Sequence, residues 1–144
     1  MLTGEVEHQT DDRGRVVVPR FWRQDLEHGA FITRGWYGCL FLFTWEGWRE
    51  IAEKLATVRI TDTPGDRLKQ FLGAGESVAV DGQGRFTISP ALRAFAGIDR
   101  DIILSGAIDR IEVWSKERAA QYRDQQFSTD QMMEMLEKAK ELGI

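Results

Sequence analysis

The sequence predicts an α+β fold: a pseudo-two-fold pair of interlocked β-hairpin modules, closing into a small β-barrel with helices at its periphery. Three observations predict it. A turn-and-strand motif occurs twice, each occurrence is followed by the same succession of short apolar runs, and each copy is too small to bury a core alone. The first occurrence is Asp11-Asp12-Arg13-Gly14-Arg15-Val16-Val17-Val18, and the second is Asp81-Gly82-Gln83-Gly84-Arg85-Phe86-Thr87-Ile88. Asp11, Gly14, Arg15 and Arg23 recur as Asp81, Gly84, Arg85 and Arg93. A half of about 45 ordered residues lacks the apolar surface for an independent core, so the two halves are expected to share one body.

Each element has a local reason. Glu5–Gln9 and residues 77–80 lead as strands into turns at 11–14 and 81–84. In these turns Asp can accept hydrogen bonds from the backbone two residues on, and Gly accepts a positive φ. Residues 15–18 and 85–88 are β-branched or aromatic and short, as strands are. Pro19 opens a helix expected to run to Gly29. Ser89 and Pro90 open its counterpart, which stops at Gly97.

Two hairpins follow the same plan: 31–34 with 40–43 around the Gly35–Gly38 turn, and 102–105 with 111–114. Residues 46–56 form an amphipathic helix with Trp48, Ile51, Ala52 and Leu55 on one side, and 64–72 a short helix closed by Gly73. A helix is expected over 115–125. A last one over 128–142 has a capping-box pair in Ser128 and Gln131 and an apolar stripe of Met132, Met135, Leu136, Ala139 and Leu142. The chain thus divides into a first repeat (5–60), a connecting helical segment (61–75), a second repeat (76–127) and a C-terminal helix (128–144).

Composition narrows the class. Apolar residues make up 42% of the 144, with five Trp and eight Phe, which is enough for a packed interior. The single cysteine, Cys39, cannot pair within the chain, which suits a reducing cytoplasm. No run of about 18 apolar residues exists and the N-terminus lacks a signal-peptide pattern, so no membrane association is expected. The net charge of −4 argues by itself against a polyanionic ligand. The charge is unevenly spread, however: arginines crowd the early part at Arg13, Arg15, Arg20 and Arg23, while the acidic residues load the later helical segments.

Catalysis finds no support. There is no nucleophile elbow, no phosphate-binding loop and no dinucleotide glycine fingerprint. His8 and His28 stand apart from any set of ligands at metal spacing, so neither metal nor cofactor is expected. Asp11 and Asp12 adjoin arginines that keep them ionised rather than poised as acids. The repeated Asp-x-x-Gly-Arg motif is the strongest chemical signal. Asp and Gly shape the turn and the Arg pairs with the Asp, which also aims that Arg outward. Arg15, Arg20 and Arg23 suit DNA phosphates or guanine edges, and Arg13 at the turn tip suits direct base reading. Gln83 stands where Arg13 stands in the first copy and can read adenine or touch a phosphate.

These residues, together with Pro19, Ile88-Ser89-Pro90-Ala91-Leu92-Arg93-Ala94-Phe95-Ala96-Gly97 and the apolar strand 39–43, make the chain resemble the MraZ family over nearly its whole length. That family is a duplicated form of the AbrB-like swapped-hairpin DNA-binding fold. The resemblance implies a nucleoid-associated regulator of the division and cell-wall gene cluster, generally a repressor, that binds direct repeats in its own promoter. It also implies ring-shaped homo-oligomers that present Asp11, Arg15, Asp81 and Arg85 to double-stranded DNA. The full expected contact set is Asp11, Arg13, Arg15, Arg20, Arg23, Asp81, Gln83, Arg85 and Arg93. Two alternatives remain open: an antitoxin-like protein of the same fold whose acidic tail holds a toxin, and a small-ligand enzyme on the same architecture.

Overall fold

The computed structural model describes residues 1–144. Eight strands and six helices follow one another as β1 (Glu5–Gln9), β2 (Arg15–Val17), α1 (Arg20–Arg23), β3 (Ala30–Arg34), β4 (Leu40–Thr44), α2 (Trp45–Ala56), α3 (Thr63–Gly73), β5 (Glu76–Val78), β6 (Arg85–Thr87), α4 (Pro90–Ala96), β7 (Asp101–Gly106), β8 (Ile111–Ser115), α5 (Lys116–Arg118) and α6 (Thr129–Glu141). No helix is long and apolar enough to cross a membrane.

The halves interlock through their strands. One antiparallel sheet has the order β1-β7-β8-β4-β3-β5, and β2 pairs with β6 in a separate two-stranded ribbon. Each half lends its first strand to the other half's hairpin: β1 joins β7, and β5 joins β3. The hairpins meet where β4 pairs with β8. The expected closed barrel is not formed. The large sheet is open, with β1 and β5 as its edges, and its ladder is separate from that of the ribbon. Closure would require the edges to pair, whereas β5 spans only three residues and ends at Val78.

Alternation along the strands sends side chains to two faces of this sheet. On one face Ile32, Leu40, Leu42, Ile102, Leu104, Ile111 and Val113 pack with Val16, Val18, Phe86 and Ile88 of the ribbon and with Trp22, Leu92 and Ala96 of α1 and α4, in one core drawn from both halves. The other face holds Phe41, Phe43, Ile103 and Trp114 and is covered in part by Trp48 and Ile51 of α2. Trp48 stacks on Phe31 with ring centroids 3.9 Å apart. Thr33 donates its hydroxyl to the Leu72 carbonyl at 2.7 Å, which ties the end of α3 to β3.

Three helices depart from expectation. α1 ends at Arg23, and the chain reaches Gly29 through turns instead. Only Trp22 and Leu26 are buried there, and polar Gln24, Asp25, Glu27 and His28 give no apolar stripe to sustain a longer helix. The expected helix over 115–125 breaks into α5, a π-helical turn (Ala119–Arg123) and a 3₁₀ turn (Asp124–Phe127). Its basic residues have separate anchors: Arg118 donates to the carbonyls of Gly38 and Phe95, and Arg123 pairs with Glu5 at 2.6 Å. α6 does start after Ser128, but the Ser128 hydroxyl makes no capping hydrogen bond, so the capping box is not formed. Met132, Met135, Leu136 and Leu142 stay exposed, and α6 buries no residue against its own chain.

Candidate nucleic-acid interface

The ribbon carries the repeated motif. Its register pairs Arg15 with Thr87, Val16 with Phe86 and Val17 with Arg85. Val16 and Phe86 point into the core, so Arg15, Val17, Arg85 and Thr87 share the opposite face. Val17 and Thr87 are exposed, and Arg15 and Arg85 are partly so. The two arginines are diagonal neighbours on that face, roughly 7–8 Å apart by ordinary sheet geometry. The ladder continues at both ends, where Val18 N–H donates to the Gly84 carbonyl at 2.8 Å and Ile88 N–H to the Gly14 carbonyl at 2.9 Å. The two turns therefore bracket the ribbon, about 13 Å apart along the strands.

Each turn is held by its aspartate. Asp11 Oδ1 accepts from the backbone N–H groups of Arg13 and Arg15, both at 2.9 Å, and Oδ2 accepts from Arg15 Nε at 2.5 Å. Asp81 repeats the arrangement with Gln83 and Arg85, its Oδ2 lying 3.1 Å from Arg85 Nε. The Arg15 amide and then the Arg15 guanidinium stabilise the Asp11 carboxylate and hold its pKa at about 2. The Asp81 carboxyl is lowered for the same reasons, led by the Arg85 amide. Only Nε of each arginine is engaged, so the terminal amino groups of Arg15 and Arg85 remain free to donate to a ligand. A charged acceptor for those donors would form the stronger class of hydrogen bond.

The other expected contact residues fall into two groups. Arg13 and Gln83 sit exposed at the two turn tips, and Arg20 is exposed at the start of α1. Arg23 and Arg93 do not stand out from the surface. Each is partly buried and crosses to the opposite repeat. A methyl group added to Gly84 would lie 2.5 Å from Arg23 Cζ, and one added to Gly14 would lie 2.7 Å from Arg93 Nε. Sequence reading passed over Val17 and Thr87, although period-two alternation from Arg15 and Arg85 places them on the same face. No local signal foretold the crossing of the two arginines.

No group of three or more His, Cys, Asp or Glu side chains comes together to hold a metal ion. Cys39 is buried, and that burial followed by the Glu112 charge pushes its thiol well above the usual range. The groove beside Glu7, His8, Gln9, Asp101 and Lys116 is open and polar, and its Lys116 ammonium lies 3.7 Å from the Glu7 carboxylate in an exposed ion pair.

Comparison with known proteins agrees with the internal repeat. A family model described as "MraZ protein, putative antitoxin-like" matches the chain twice, over residues 1–71 and 70–140. A protein of Deinococcus radiodurans named "Transcriptional regulator MraZ" is 41% identical over 119 residues, covering 82% of this chain and 84% of the relative. A protein of the same name from Clostridium beijerinckii is 34% identical over the full length of both, and one from Thermus thermophilus is 37% identical over 82% of this chain and 84% of its own. The family is one of transcriptional regulators, not of enzymes. With the doubled motif, the doubled match and relatives aligned from end to end, the chain belongs to the MraZ family.

Proposed function

We propose that the chain is a DNA-binding transcriptional regulator that lays the outer face of the β2–β6 ribbon against double-stranded DNA. The observation that carries this reading is the shared face: Arg15 and Arg85, one from each repeat, point the same way with their terminal amino groups unoccupied. A B-DNA major groove, about 12 Å wide, admits a two-stranded ribbon. In this reading Arg15 and Arg85 meet phosphates or guanine edges, Asp11 and Asp81 aim them, Arg13 and Gln83 probe bases from the tips, and Arg20 adds a phosphate contact.

The finer reading follows the named relatives and the family likeness. The protein represses its own promoter and a division and cell-wall gene cluster, works on tandem promoter repeats in the nucleoid, and assembles as a ring-shaped homo-oligomer on the AbrB-like plan. The exposed apolar face of α6 supports assembly, because a stripe of this kind is ordinarily covered. Several modest cationic faces on one rigid body gain by multivalency, which reconciles a net charge of −4 with a polyanionic ligand. An antitoxin-like role would use the same α6 face on a different protein, and light scattering of the pure protein separates the two: an oligomer favours assembly, a monomer the toxin partner.

The test is a mobility shift on the DNA directly upstream of the protein's own gene, across a salt series. Wild-type binding should weaken steeply with salt, and Arg15→Ala or Arg85→Ala should each reduce the salt slope by about 1 and cost about 1–3 kcal/mol. Binding that ignores salt, or survives both substitutions together, overturns the reading.

A further inference from the structure

The two glycines that close the turns are buried, and each is covered by an arginine from the other repeat. Arg23, on the first repeat's helix, lies over Gly84, so close that a methyl group there would meet its Cζ, Nη2 and Nε at 2.5–2.7 Å. Arg93, on the second repeat's helix, lies over Gly14 in the same way, at 2.7–2.8 Å. A flat guanidinium can approach a glycine this closely, while any other residue in the turn would displace it. Arg23 Nε is anchored to its own repeat by donating to the Val18 carbonyl at 3.0 Å. Val18 N–H in turn donates to the Gly84 carbonyl. Val18 thus touches both the arginine and the turn that the arginine covers.

We propose that Arg23 and Arg93 are crossed positioning residues: each holds the shape of the opposite repeat's Asp-x-x-Gly-Arg turn, rather than meeting DNA itself. The two turns then behave as one coupled unit, in which loosening either helix arginine disturbs the distant motif and spares the adjacent one. The consequence for DNA binding rests on the function proposed above, whereas the crossed coupling is a property of the free protein. The two arginines also differ. Arg93 Nε is buried without a hydrogen-bond partner, so the first repeat's turn is held by packing where the second repeat's is held by packing and a bonded anchor.

Amide hydrogen exchange on the full chain, without DNA, tests the crossing. Arg23→Met keeps the aliphatic stem and removes the guanidinium. It should speed exchange of the Gln83, Gly84 and Arg85 amides about tenfold or more while leaving Arg13, Gly14 and Arg15 within about twofold of wild type. Arg93→Met should give the reverse pattern. A global loss of stability would speed both turns equally, so the crossed pattern separates positioning from general support. In DNA binding, Arg23→Met combined with Arg85→Ala should be no weaker than Arg85→Ala alone to within about twofold, whereas combined with Arg15→Ala its effect should multiply. Exchange changing in the adjacent turn, in both turns alike or in neither overturns the proposal. A wild-type protein that ignores DNA yet shows the crossed exchange overturns only the proposed function.

Discussion

Replacing Gly14 or Gly84 by alanine should destabilise the protein unequally, although the motifs are copies. Both residues sit at positive φ, 76° and 77°, where an L side chain costs about 1–2 kcal/mol. At Gly84 the three atoms nearest the added methyl all belong to the Arg23 side chain. That side chain can swing away at the expense of its bond to Val18, worth about 0.5–1.5 kcal/mol. At Gly14 the methyl also meets the Ile88 carbonyl oxygen at 2.7 Å, and Ile88 is held beside Gly14 by its own N–H, which donates to the Gly14 carbonyl. The backbone must give way there, and loss of this buried ladder bond adds about 1–3 kcal/mol. The totals are about 2.5 kcal/mol for Gly84→Ala and about 3.5 kcal/mol for Gly14→Ala, or roughly 8 °C and 12 °C in midpoint for a chain of this size. Gly82→Ala is the control, since its methyl meets nothing within 4 Å. Differential scanning calorimetry of the three variants reads the order directly. Equal losses at Gly14 and Gly84, or losses no larger than at Gly82, would refute the crossed packing from which the figures come.

Two further outcomes follow from the electrostatics. Asp11 has its pKa lowered from 3.8 to about 2, so the turn gains from its ionised form at pH values above 3.8 and loses that gain as pH falls toward about 2. The Arg13 and Arg15 amide resonances should therefore titrate with a midpoint near about 2, and Asp11→Asn should abolish the transition; a midpoint at 3.8 would mean that the carboxylate is not held. Cys39 is buried with its thiol pushed upward, so a thiol reagent at about pH 8, near the ordinary cysteine pKa, should leave the native protein unmodified and label it once unfolded. Rapid labelling of the native protein would contradict its placement.

The parts that sequence alone makes legible are those governed by near neighbours. Asp11 and Asp81 shape their turns with amides two and four residues on, so the motif spells out its own geometry. Gly97 ends α4 at φ 63° as a left-handed cap, a matter of one residue and its helix. Pairing across the repeats is a different problem. Alternation gives β1 and β5 their faces, yet whether each returns to its own hairpin or crosses to the other's depends on partners 44–100 residues away. An open sheet and a closed barrel share the same alternation, so the expectation of closure had nothing local to correct it. The same holds for Arg23 and Arg93: in sequence they resemble other exposed helix arginines, and only the crossed strands carry them onto Gly84 and Gly14. The stripe on α6 is plain in the sequence, but a stripe says that a face seeks cover without naming what covers it.

The midpoint of the ribbon, where Val16 faces Phe86, would be an axis of exact interchange if the two strands were identical. They are not, because Arg13 caps one end and Gln83 the other. A homodimer of single hairpins could not tell left from right on a duplex and would suit inverted sites. Covalent fusion, followed by divergence of the tips, gives each copy a heading. Under the proposed function, units that carry a heading can be lined up in file, each reading its stretch of duplex in the same sense as the one before.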